Sequence, residues 1–198
     1  VDAAQFFRRG QLFSAHLSPD GERIALRTAA PHGKVVLTVV EFSTMAPTVV
    51  YTHSAVDVDR VMWVNSKRVA FTMGDFETPQ GKLDAGPGLF AVNHDGSEFK
   101  QLVERQWVFL KNGNDTQRLE PWNTFPLGSD LSRDSDDVFV WRPEAFSEKD
   151  LGYIRLLRLN TKTGRTWDID GPLHAVAWRP DAKGDVRVCV TRKNEKGA

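Results

Sequence analysis

The chain has 198 residues, 40% of them hydrophobic, and carries 26 basic and 26 acidic side chains, the balance of an ordinary globular protein able to bury a core. That neutrality excludes the overall charge signature of a nucleic-acid or acidic-membrane binder, and no 18-residue apolar stretch is present to span a bilayer. The lone Cys189 excludes an internal disulfide framework and a multi-cysteine metal site.

In chain order, residues 1–12 read as a short helix or lead-in ending at Gly10, with Phe6 and Phe7 packing against the first strands. Strand signals then take over. Phe13–Leu17 and Arg23–Thr28 form a hairpin around Ser18-Pro19-Asp20-Gly21, where Pro presets φ and Gly supplies positive φ. Val35–Phe42 and Pro47–Tyr51 form a second. Val58–Val64 with Arg68–Met73, and Gly88–Val92 with Glu98–Val103, repeat the arrangement. The polar, Gly- and Pro-rich segment Asp75–Pro87 between them reads as a surface loop. Residues 104–125 are surplus to the pattern. Leu127–Leu131, Val138–Trp141, Tyr153–Leu159 and Arg165–Ile169 supply a third unit. Leu173–Trp178 and Val186–Thr191 supply one more hairpin.

The bulky residue before each first turn, Leu17, Trp63, Leu131 and Trp178, marks the repeat. Successive spacings are 46, 68 and 47 residues. Two match the roughly 40–50 residues of a four-stranded propeller blade, and the long one accommodates an insertion at 104–125. The expected fold is therefore all-β: a partial β-propeller of about three and a half four-stranded antiparallel blades. Blade 1 is expected at about 13–53, blade 2 at 57–103, blade 3 at 126–170 and a half blade at 172–192. Closed propellers carry four to eight blades, so the chain reads as the first half of a larger ring, and self-association of such a half is an expectation. Val1 in place of Met reads as a processed or engineered start, consistent with removal of an export signal. Cysteine poverty suits the periplasm and the cytosol alike.

Ala4-Gln5-Phe6-Phe7-Arg8-Arg9, followed by Leu17-Ser18-Pro19-Asp20-Gly21-Glu22-Arg23-Ile24-Ala25, resembles the start of the propeller in prolyl oligopeptidase-family serine peptidases. The bacterial dipeptidyl-peptidase and acylaminoacyl-peptidase-like branch is the nearest in pattern. Gly88–Ser97 is similar to the matching second-blade hairpin there. Ser-Pro-Asp-Gly hairpins also occur in TolB-like propellers, so a stand-alone TolB-like or WD-repeat-like protein-binding module is the alternative. The resemblance implies a periplasmic or otherwise exported location, with the cytoplasm as alternative. It also implies a partner: a C-terminal α/β-hydrolase domain of the same polypeptide with a Ser-Asp-His triad, to which the propeller admits short peptides. Neither nucleic acid nor membrane is an expected partner. In the dipeptidyl-peptidase branch a pair of propeller glutamates holds the substrate's amino terminus. Glu144 and Glu148 read here as loop residues without the surrounding pattern.

No catalytic, cofactor-binding or metal-ligating residue, and no cofactor, is expected of this chain. No Gly-x-Ser-x-Gly nucleophile elbow is present in the sequence. His16, His32, His53, His94 and His174 show no metal-ligand spacing. The acidic pairs Asp57/Asp59 and Asp136/Asp137 read as turn chemistry. Asn93–Glu98 only superficially resembles a calcium loop. Trp63 and Trp178, at equivalent repeat positions, are expected between blades, whereas Trp107 and Trp122 in the surplus segment are candidates for touching a substrate or a hydrolase domain. Cys189 reads as a structural thiol.

Overall fold

The computed structural model describes residues 10–79, 85–105, 119–129, 134–147, 150–172, 174–181 and 185–192. Every regular element among them is a strand. The expected lead-in helix and most of the surplus segment, Trp107 included, lie outside the described residues.

Four sheets follow one another along the chain. The first contains β1 (Leu12–Leu17), β2 (Arg23–Ala29), β3 (Val35–Glu41) and β4 (Ala46–Tyr51) in sequence order. The second orders β5 (Asp57–Trp63), β6 (Arg68–Gly74), β7 (Leu89–Asn93) and β8 (Lys100–Val103) in the same way. In the third, β9 (Phe125–Ser129), β10 (Asp137–Ser147), β11 (Asp150–Asn160) and β12 (Thr166–Asp168) repeat it. Only β13 (Ala175–Pro180) and β14 (Val186–Thr191) form the fourth. All pairings within the sheets are antiparallel meanders.

Local chemistry sets the hairpins. Ser18 Oγ accepts the Arg23 N–H at 2.9 Å and donates to Asp20 Oδ1 at 2.6 Å, while Gly21 takes φ 75°. A hydroxyl, a carboxylate and a residue without Cβ thus close the first turn. The third strand of a sheet is its most apolar: Val35-Val36-Leu37-Thr38-Val39 of β3 is buried throughout, as is Leu89–Val92 of β7. In β7, which lies between the first and third sheets, such a run is buried because a sheet covers each face.

The core confirms this, because it lies between sheets. Ala25, Leu37, Val39 and Val50 of the first sheet pack against Val58, Val61, Trp63, Phe71 and Phe90 of the second. Val64, Ala70, Leu89, Ala91 and Leu102 of the second meet Val138, Val140, Leu157 and Leu159 of the third. Phe139 and Leu156 of the third meet Ala175 and Trp178 of the fourth. Within β6 and β7, Phe71, Phe90 and Val92 point to one neighbour while Ala70, Leu89 and Ala91 point to the other, the period of two that a strand imposes. Each large apolar side chain so buried contributes about 2 kcal/mol. Among the described residues no hydrogen-bonded ladder joins one sheet to the next. Face-to-face sheets in series, unclosed by any ladder, make an open β-propeller, as the repeats imply.

One strand pair corrects the sequence reading. The strand expected to stop at Trp141 runs on to Ser147, and its partner starts at Asp150, so β10 and β11 form a long hairpin where a loop was expected. Pro143 is tolerated because β9 stops pairing at Trp141↔Phe125. Beyond that rung β10 has a strand partner in β11 alone, the Pro143 carbonyl accepting instead from the Asn123 side chain at 3.4 Å, and proline is compatible with a strand edge that carries no ladder.

Candidate functional site: clasps and a charged hairpin

Polar side chains that bridge sheets are the most distinctive chemistry of the chain. Arg68, the first residue of β6, is 1% exposed. Its Nε and Nη2 donate to Thr161 Oγ1 and the Thr161 carbonyl, both at 2.9 Å, across to the third sheet. Nη1 donates to Asn93 Oδ1 at 2.9 Å and to the Glu98 carbonyl at 3.1 Å. Burial pushes this guanidinium below its usual pKa, opposed by Glu98 and Asp136. A buried cation holding four good acceptors is tolerable; without them it would not be. Beside it, Asn65 Nδ2 donates to the Ser135 carbonyl at 3.1 Å and to Asp136 Oδ1 at 2.9 Å. Arg23, at the same position of β2, reaches Glu41 Oε1 at 2.8 Å and the Ser66 carbonyl of the next sheet at 3.5 Å. A basic residue opening the second strand is thus a repeated clasp. The signal was present in the sequence as the Arg five or six places after the bulky anchor, but nothing local gives it a partner 93 residues away.

Asp57 and Asp136 act likewise between sheets, which corrects their reading as turn formers. Asp57 is fully buried and accepts the Val35 N–H of β3 at 2.8 Å, with Lys34 Nζ at 3.8 Å. The Asp136 carbonyl receives the Thr161 N–H and hydroxyl, each at 2.8 Å, and Asp137 Oδ1 receives Asn160 at 2.7 Å. Trp63 and Trp178 sit between sheets as expected. Their indole N–H groups donate to the carbonyls of His16 and Ile154, each at 2.8 Å.

The long hairpin carries a second cluster. Arg142 and Arg155 stand directly opposite each other on β10 and β11, a like-charge rung that needs compensation. Arg142 meets Glu120 and Glu144, each at 3.0 Å. Arg155 binds Asp168 of β12 through two nitrogens and lies 3.8 Å from Glu144. Glu120 also accepts the Thr166 hydroxyl at 3.0 Å. The Arg155 bond holds the Asp168 carboxyl below the usual carboxylate range, and Asp168 raises Arg155 in return. Glu144 is therefore a strand residue engaged by two guanidiniums, not a loop residue, and Glu148 lies outside the described residues. Two cations among three carboxylates can orient a polar ligand.

The remaining candidates are dispersed. His16 Nε2 meets Ser14 Oγ at 3.2 Å, and burial, then Arg27, lowers its pKa. His32 meets Thr52 Oγ1 at 3.2 Å, and His53 Nδ1 accepts the Ala55 N–H at 3.0 Å. The His94 N–H donates to Lys67 O, and His174, at φ 65°, precedes β13. Asp95 accepts the Ser97 N–H and hydroxyl, closing the stretch from Asn93 to Glu98 as a turn. Trp122 is half-buried, and Cys189 is half-buried against the Trp178 cluster. Among the described residues no group of three or more His, Cys, Asp or Glu is arranged to hold a metal.

No known family and no curated protein matches the sequence. Solved structures do. The β-propeller domain of the Trilobed protease from Pyrococcus furiosus, which has an open velcro topology, aligns at TM-score 0.52 and 12% identity, covering 90% of this chain and 52% of that one. An oligogalacturonate lyase in complex with manganese aligns at 0.54 and 10%, covering 89% and 46%. An acylaminoacyl peptidase aligns at 0.51 and 14%, covering 85% and 26%. The chain spans about half the length, or less, of these structures. At such identities the likeness establishes the β-propeller fold, found in peptidases and in a lyase.

Proposed function

We propose that this chain is the propeller part of an exported bacterial serine peptidase of the prolyl oligopeptidase family, gating an α/β-hydrolase domain of the same polypeptide and doing no chemistry itself. The observation that carries the reading is the sheet series bridged by buried clasps, combined with the prolyl oligopeptidase-like opening and second-unit hairpin. Propeller neighbours that include two proteases support it. A stiff ring wall sizes substrates: a short extended peptide passes, and a folded protein does not. The clasps matter to that task because a wall that opens between sheets no longer selects.

The test compares the 198-residue chain with the full polypeptide encoded by its gene. The full protein is expected to take up a fluorophosphonate active-serine probe and to hydrolyse aminoacyl or dipeptidyl chromogenic substrates, and the chain alone to do neither. Hydrolysis by the chain alone, or a gene that ends without a hydrolase domain, would overturn the proposal, the latter in favour of a protein-binding propeller. Within the full protein, Asp57→Asn should raise hydrolysis of long peptides relative to dipeptides if the wall is the sieve.

A further inference from the structure

Three Asp-Gly pairs occur in the chain, at Asp20-Gly21, Asp95-Gly96 and Asp170-Gly171. Such a pair is chemically labile, because no Cβ on the glycine hinders attack of its amide nitrogen on the aspartyl side chain. Turns hold the first two. Gly21 and Gly96 take φ 75° and 86°, and their N–H groups donate to the carbonyls of Ser18 and Asn93, each at 2.9 Å. The carboxylates are engaged as well. Asp20 accepts the Ser18 hydroxyl and the Glu22 N–H, and Asp95 accepts the Ser97 hydroxyl and N–H.

Asp170-Gly171 differs on each count. It is exposed in the linker between β12 and β13, followed by Pro172, and Gly171 stands outside the left-handed region. Among the described residues neither the Asp170 carboxylate nor the Gly171 N–H has a hydrogen-bond partner. Exposure is a property of this place in the repeat: residues 52–55, which join the first sheet to the second, are exposed too, although both of those sheets have four strands. Packing explains why a glycine stands at 171. A Cβ there would lie 2.1 Å from Trp178 Cη2, against an indole that is 7% exposed and donates to the Ile154 carbonyl.

We infer that Asp170 is a site of spontaneous isoaspartate formation, which loosens the fourth sheet from the third. The Gly171 nitrogen loses its proton and bonds to Asp170 Cγ, while one carboxyl oxygen leaves as water and a succinimide forms. Water then opens the ring at the Asp170 main-chain carbonyl. The chain now runs through Cβ and Cγ, and the α-carboxylate is free. One water leaves and one enters, so the change is an isomerisation that needs no co-reactant. The main chain is longer by one carbon where Gly171 lies on Trp178. The free α-carboxylate is the group that an isoaspartyl methyltransferase esterifies from S-adenosylmethionine. None of this rests on the peptidase reading.

The test ages the full polypeptide encoded by the gene in warm buffer, folded and in urea. Tryptic peptides carrying the three pairs are then resolved by liquid chromatography with mass spectrometry, and their methyl uptake with isoaspartyl methyltransferase is counted. Folding should slow isomerisation at Asp20 and Asp95 at least about fivefold, because their amide bonds must open first, and leave Asp170 within about twofold of its rate in urea. Asp170→Glu, which closes a six-membered ring only slowly, should abolish uptake in the peptide that begins at Thr166 and so exclude Asp168 as its source. Hydrogen exchange in β13 and β14 should be faster in aged protein, with β1 to β8 unchanged. Slowing of Asp170 as great as that of the other two, uptake that survives Asp170→Glu, or exchange in β13 and β14 unaltered by ageing would each overturn the inference.

Discussion

The second and fourth sheets begin alike and end differently. Both place a tryptophan at the last or near-last position of the first strand, 6% exposed at Trp63 and 7% at Trp178, and both indoles donate to a carbonyl of the preceding sheet. The next strand does not share this fate. β6 is buried along nearly its whole length, and β14 is half to fully exposed along its own. The sequences, Arg-Val-Ala-Phe-Thr-Met against Val-Arg-Val-Cys-Val-Thr, are similarly apolar. A second strand is therefore buried not by its own composition but by a third strand alongside it and a sheet on each face.

That contrast can be broken by substitution. The largest effect is expected at Trp63→Ala, which empties a core shared by two sheets and strands the His16 carbonyl. Chemical denaturation should show a loss of about 3–5 kcal/mol. At Trp178→Ala the loss should fall on β13 and β14 alone, read as fast amide exchange there with the first three sheets still protected. Equal global destabilisation by both would remove the distinction.

Next in size is Arg68→Ala, expected to cost about 3 kcal/mol because Thr161, Asn93 and Glu98 lose a charged donor in a buried site. The arginine of β14, Arg187, is 63% exposed at the side chain and, among the described residues, pairs with Asp181 and Asp185 close by. Arg187→Ala should leave the unfolding midpoint unchanged.

The smallest effect concerns pH. Asp168 is held below its ordinary pKa by Arg155. Its stabilisation is therefore complete above the unfolded carboxylate value near 4 and is lost as pH falls through the lower folded value. Both side chains are over one-third exposed, so screening keeps the contribution small. Asp168→Asn should flatten only the acid limb of local opening at β11 and β12, and added salt should do part of the same.

How much of this was legible in the sequence depends on the range of each interaction. The hairpins were, because Ser18, Asp20 and Gly21 close their turn within six residues. The bulky anchors were too, since Trp63 and Trp178 recur at one place in the pattern. The long β10–β11 hairpin was hidden by Pro143 and by the charged Glu144–Asp150 segment, which read as a loop. Nothing local reveals that β9 stops pairing before it reaches Pro143. The clasps were hidden for a related reason. Asp57 and Asp136 look like turn residues until a neighbouring sheet supplies the N–H groups they bind, and Glu120 sits within the surplus segment yet joins Arg142 and Thr166.

The most direct test of sheets packed in series is a double-mutant cycle across one junction, Arg68→Met with Thr161→Val, followed by urea unfolding. Arg68 and Thr161 lie 93 residues apart and meet only if the second and third sheets stack face to face. A coupling energy on the order of 1–2 kcal/mol is expected. Strict additivity of the two substitutions would contradict the stacked arrangement.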